Sequence, residues 1–209
     1  MIGLDPRLKI VVTGTGRCGT LFFSRLLSGV GVKCGHEQVF TQNPLSLKNS
    51  SKWDADTSLF AAPFTGKLES RGIKVVHLVR HPVKCIESFL KMGYFDGENW
   101  SSGLIGWWQK HCPFPFDQDN EDSMAVAYWI DWNEMIGETH FRHRIEDDSG
   151  SLLDKLGIGW GGELFSNKKC NTRAEYEHPD RRLELGKVDE GLQEELFRLA
   201  ESYGYEVEL

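Results

Sequence analysis

Residues 11–23, VVTGTGRCGTLFF, constrain the fold more than any other stretch of this 209-residue chain. A β-branched apolar run ends in a turn containing Gly14, Gly16 and Gly19, and the turn leads directly into Leu21 and Phe22. A strand, a tight glycine turn and a helix N-terminus in that order aim successive backbone N–H groups at one point, which makes an anion site. The same order commits the start of the chain to an α/β arrangement.

The rest of the chain alternates in the same way. Lys9–Thr13 reads as a buried strand and Thr20–Leu27 as a helix. VGVKCG at 30–35 reads as a second, short strand. Residues 38–72, rich in Ser, Asn, Asp, Pro and Gly, read as a long irregular excursion with room for a short helix. Val75–Val79 is a buried strand, and Pro82 opens a helix on which Val83, Ile86 and Leu90 repeat at helical spacing. MAVAYWIDWNEMI at 124–136 reads as an amphipathic helix. THFRHRIEDD at 139–148 reads as a strand with an acidic turn, and SLLDKLGI as a helix closed by Gly157. Residues 157–187 read as irregular, first glycine-rich and then basic. The last helix, DEGLQEELFRLAESYG, places Leu192, Leu196 and Leu199 on one face, with Gly204 as its cap. The expectation is one α/β domain over 1–209, a mainly parallel sheet flanked by helices.

A net charge of −7 gives no overall basic footprint for duplex nucleic acid. No apolar stretch has bilayer length. The N-terminal MIGLDPRLKIVV lacks an apolar signal core, so neither a signal peptide nor an anchor is expected. The five cysteines are scattered without paired spacing, which points to a reducing compartment, taken as the cytoplasm, and away from a zinc site.

Three ligands compete for the turn. Gly14 and Gly19 have the spacing of a nucleotide-hydrolysing P-loop, but Thr20 stands where its lysine belongs. Gly14, Gly16 and Gly19 satisfy G-x-G-x-x-G, and Glu37 lies near the offset of a ribose-binding carboxylate, which gives an NAD(P)-dependent oxidoreductase. Against that reading, Arg17 inside the turn suits a terminal phosphate better than a pyrophosphate bridge. The third reading is a 5′-phosphosulfate loop: GRCGT resembles the R-S-G-T or K-S-G-T loop of the sulfotransferases, with Cys18 in place of the usual serine.

A second segment favours the third reading. VHLVRHPVKCIESFL at 76–90 resembles the 3′-phosphate segment of the same family: a strand ending in Arg80, then His81-Pro82 in place of Asn-Pro or Asp-Pro, then a helix with Ser88 eight residues after the arginine. An arginine fork and a helix hydroxyl can both donate to one phosphate. On the helical wheel Ser88 lies opposite Val83, Ile86 and Leu90, beside Lys84 and Lys91. CGHE at 34–37 resembles the C-G-E-E segment of tyrosylprotein sulfotransferases and the G-H-E segment of bacterial relatives. FRHRIEDD resembles the family's R-Y-E-D-L strand and turn, and ESYGYEV the close of its last helix. The resemblance runs from Lys9 to Tyr205 and is weakest at 38–72 and 93–123.

The resemblance implies a P-loop-like, nucleotide-kinase-like core and 3′-phosphoadenosine 5′-phosphosulfate (PAPS) as donor, with no metal. Arg17 and the N–H groups of Cys18, Gly19, Thr20 and Leu21 would hold the 5′-phosphosulfate, and Arg17 would stabilise the leaving oxygen. Arg80 and Ser88 would hold the 3′-phosphate, with Asn171 and Arg173 from a late basic loop, and Trp53 is a candidate to stack on adenine. By motif Glu37 is the general base; His36, with the better unperturbed pKa, is the alternative. The acceptor would be a small molecule, a carbohydrate or a peptide; no nucleic-acid or membrane partner is implied. A non-catalytic nucleotide-binding module with both phosphate sites intact remains open beside the enzyme.

Overall fold

The strand that feeds the glycine turn is the middle strand of the sheet. In the computed structural model, which describes residues 4–95, 107–108, 110–112, 120–161 and 178–207, β1 spans Ile10–Thr13 and all its residues are buried. The turn leads into α1 (Thr20–Gly29), β2 (Cys34–His36) and a 3-10 segment, Pro44–Lys52. Next come β3 (Ala55–Thr57), a second 3-10 segment, Leu59–Phe64, α2 (Thr65–Glu69) and β4 (Lys74–Val79). The later elements are α3 (Pro82–Leu90), α4 (Glu121–Ile136), β5 (Phe141–Arg144), α5 (Ser149–Leu156), a 3-10 turn at Leu185–Lys187 and α6 (Glu190–Ser202).

The five strands form one parallel sheet in the order β2-β3-β1-β4-β5. Val11 pairs with Asp56 on one side and Val75 on the other; Val12 pairs with Thr57 and Val76. Alternate residues of a strand face opposite ways. Accordingly Ile10, Val12, Val76 and Leu78 share a core cluster with Phe23, Leu26 and Leu27 of α1 and Leu152, Leu153 and Leu156 of α5. Val11 and Val75, also fully buried, face the other way. Burying each large apolar side chain stabilises by roughly 1.5–3 kcal/mol.

By its contacts the chain divides into two compact units. Met1–Val79 with Ile136–Thr172 form one, which contains the whole sheet; Arg80–Met135 with Arg173–Leu209 form the other. The second unit has an aromatic core: Phe89, Trp108 and Trp132 surround Tyr128 with ring centroids 4.7–5.0 Å apart. In the same unit the buried Asp122 pairs with Arg181 and accepts the Glu184 N–H at 3.0 Å.

Two sequence readings are corrected. The 38–72 excursion is structured: it contains β3, inserted between β1 and β2. Ala-Asp-Thr has no strand signature, because Ala and Asp are depleted in strands and the pairing is set by tertiary packing. Helix α4 is not amphipathic but buried almost all round; between Glu121 and Ile136 only Glu134 is exposed. Among the described residues no helix is long and apolar enough to cross a membrane.

Candidate functional site

Within the sheet unit, the turn after β1 is fixed by close packing and by handedness. A Cβ on Gly14 would strike the backbone oxygen of Leu78 in β4 and stand 2.6 Å from Cys18 Sγ. Gly19, the residue before α1, has φ +107°, a left-handed conformation that side chains rarely adopt. Arg17 also sits at positive φ, +64°, and is half-buried. Helix α1 has no side-chain cap, whereas Asp148 caps α5 and Asp189 caps α6 by accepting first-turn N–H groups. The N–H groups of Gly19, Thr20 and Leu21 therefore have no partner among the described residues. The Cys18 N–H donates to the Thr15 carbonyl at 3.4 Å. At the base of the turn the buried hydroxyl of Thr13 has no hydrogen-bond partner among the described residues.

Cys18 does not face a ligand with its sulfur. Its side chain is fully buried in the core cluster with Phe23 and Leu78. It fills space in the core, and burial removes it from the exposed thiolates that oxidise readily.

The CGHE segment is β2 and the residue after it. His36 Nδ1 lies 3.0 Å from the Thr57 carbonyl oxygen and 3.1 Å from Thr57 Oγ1. A carbonyl only accepts, so the network assigns the proton to Nδ1 and leaves Nε2 as the basic nitrogen of the neutral ring. Glu37 has φ +53° and its N–H donates to the Thr57 carbonyl at 3.0 Å. Burial pushes the Glu37 carboxyl above its usual range; nearby His36 opposes this and Asp56 adds to it. A carboxylate so raised is a stronger base.

Sequence reasoning missed Asp56. It is fully buried in β3, and its carboxylate accepts the N–H groups of Gln38, Val39 and Phe40 at 3.1–3.2 Å. Burial raises its pKa, the three N–H donors hold it back, and His36 lowers it as well. Only an acid in a small-residue run marked it in the sequence.

In the second unit, Arg80 is half-buried and precedes α3, whose first residue is Pro82. Ser88 is buried at 7% exposure, although Lys84, one turn earlier on the same side of the helix, is exposed. His81 packs edge-on against Tyr205, centroids 5.4 Å apart, which gives the ESYGYEV segment a place beside the Arg80 corner of the same unit. Asn171 and Arg173 lie outside the described residues. Trp53 has the Lys33 ammonium 5.8 Å from its ring centroid. Among the described residues no group of His, Cys, Asp and Glu could hold a metal ion.

No protein-family model and no curated protein matches the chain.

Proposed function

We propose that this protein is a sulfotransferase, moving a sulfuryl group from PAPS to a hydroxyl or amine and releasing adenosine 3′,5′-bisphosphate. The observation that carries this reading is the turn after β1. Glycines are required at its first and last positions, Arg17 is inside it, and it opens onto a helix start without a side-chain cap. A strand, a glycine turn and a helix start in this order support our reading of a P-loop-like core. In a dinucleotide fold the second strand lies beside the first; here β3 intervenes, which favours the phosphosulfate reading over NAD(P).

PAPS supplies an electrophilic sulfur joined to a phosphate that leaves. Arg17, with the N–H groups of Gly19, Thr20 and Leu21, holds the 5′-phosphosulfate; the Cys18 N–H is held by the Thr15 carbonyl. Arg17 also stabilises the bridging oxygen as that oxygen takes the electron pair of the breaking S–O bond. Arg80 and Ser88 hold the 3′-phosphate. Glu37 takes the acceptor's proton as the acceptor's electron pair forms the new bond to sulfur. His36 holds Nδ1–H on Thr57 and keeps Nε2 available as the alternative base.

Calorimetry tests the reading with adenosine 3′,5′-bisphosphate, NADP⁺ and ATP–Mg²⁺ as ligands, on the wild type and Arg80→Ala. The expected result is binding of the bisphosphate alone, weakened about tenfold or more in Arg80→Ala. Binding of NADP⁺ or ATP instead, or bisphosphate binding indifferent to Arg80, overturns it.

A further inference from the structure

Gly35, Glu37 and Asp56 form one device. Glu37 is not a residue that adopts positive φ readily, yet it does so here, between a strand and a turn. Its own N–H is tied to Thr57 in the neighbouring strand β3. The next three N–H groups, of Gln38, Val39 and Phe40, all point at the carboxylate of Asp56, the residue before Thr57. Four consecutive backbone donors are thus held by two consecutive residues of β3. Gly35 makes this possible: a Cβ there would stand 2.7 Å from Asp56 Oδ1 and 2.9 Å from Gln38 Cβ.

We propose that Asp56 is the positioning residue for Glu37, its buried carboxylate gathering the Gln38–Phe40 amides so that the Glu37 side chain is presented in one fixed conformation at the end of β2. The value of this to Glu37 as a base rests on the sulfotransferase reading; the device itself does not. Proton abstraction needs a base held within hydrogen-bond reach of the proton it removes, and a misplaced base loses rate steeply. Three N–H donors suit an ionised carboxylate, which has the lone pairs to accept them all. An amide at the same position offers one oxygen and turns N–H toward N–H. The negative charge also acts on Glu37 through space, opposing its ionisation, while His36 favours it. The groups that face Asp56 are therefore His36 and Glu37 from the β2 side and the Cys34 thiol, which Asp56 helps to hold protonated.

The test uses the full chain. Amide hydrogen exchange is followed by NMR at Gln38, Val39 and Phe40 in the wild type, Asp56→Asn and Gly35→Ala, with Val12 and Val76 as sheet references. The Glu37 carboxyl is titrated by carbon-13 NMR in the same proteins. Both variants are expected to accelerate exchange at the three amides about tenfold or more relative to the sheet references, and the Glu37 midpoint is expected to fall in Asp56→Asn. A general loss of packing would accelerate the sheet amides equally and would not single out the Glu37 titration. Unchanged exchange or an unchanged Glu37 midpoint overturns the proposal. If neither variant folds, the wild type decides: rapid exchange at the three amides overturns it and protection supports it. Bisphosphate binding by wild type and Asp56→Asn separates the two claims, since loss of binding in the wild type sinks the sulfotransferase reading and leaves the Asp56 result standing.

Discussion

The carbonyl oxygen of Leu78 fills the space that a Cβ on Gly14 would need. The obstacle is strand backbone, which cannot rotate aside as a side chain can. Gly14→Ala is therefore expected to destabilise the chain by about 2 kcal/mol or more, through overpacking against β4. Gly66 is the control. It lies in α2 with nothing near its Cβ position and without positive φ. Gly66→Ala is expected to be neutral or to stabilise by up to about 1 kcal/mol. Urea denaturation of both variants checks the pair; a Gly14→Ala protein as stable as wild type would refute the close approach.

Arg17 combines a strained backbone with the cation inside the turn, and the two can be separated. A non-glycine residue in the left-handed region costs on the order of 1 kcal/mol. Arg17→Gly is expected to leave stability unchanged or raise it by about 1 kcal/mol, while Arg17→Ala gains nothing. Both remove the guanidinium and are expected to weaken adenosine 3′,5′-bisphosphate binding at least about tenfold. Denaturation and calorimetry on the same two proteins provide the check. Tight binding by Arg17→Gly would show that the turn does not use its arginine.

How much of this was legible in the sequence depended on whether the signal was local. The strand at Ile10–Thr13, the turn, the Pro82 helix start, the Gly157 cap and the left-handed Gly204 all rest on neighbours a few residues apart, and all were readable. The parallel sheet followed from alternation of strands and helices. Strand β3 was not readable, because Ala55-Asp56-Thr57 takes its conformation from Ile10–Val12 on one side and Cys34–His36 on the other. With β3 went Asp56. The burial of Ser88 was hidden for a similar reason: the apolar face of α3, which also includes Cys85 and Phe89, is wider than the stripe of Val83, Ile86 and Leu90 suggested. Glu37 and His36 were found by motif; their hydrogen bonds to Thr57 belong to tertiary structure.

Asp131 of α4 gives the second unit a pH signature. Burial, with Glu134 and Glu195 nearby, pushes its carboxyl from 3.8 to about 6. The folded chain therefore binds a proton more tightly than the unfolded chain, and stability falls as pH rises through that window. Asp131→Asn removes this slope. Because the residue is partly exposed, the gain at neutral pH is expected to be only about 1 kcal/mol. Denaturant midpoints between about pH 4 and 7 measure it; parallel slopes for wild type and variant would show that Asp131 titrates as it does in the unfolded chain.

His143 of β5 contributes with the opposite sign. It is 6% exposed, its ring packs edge-on against Phe23 with centroids 5.3 Å apart, and its Nε2 has no partner among the described residues. Burial lowers its pKa below 6.5; Asp147 and Asp148 oppose the shift, and Lys155 and Arg144 add to it. The unfolded chain then takes up a proton that the folded chain refuses, so this contribution is complete above about pH 6.5 and is lost as pH falls toward the lowered value. His143→Phe keeps an aromatic ring against Phe23, removes an unsatisfied buried nitrogen and removes the titration. It is expected to match or exceed wild-type stability at pH 7 by up to about 1 kcal/mol, and to lose less on acidification. The comparison is most direct in the Asp131→Asn background, where the opposing slope is gone. Wild-type acid sensitivity retained in His143→Phe would mean that the histidine takes up its proton equally in the folded and unfolded chains.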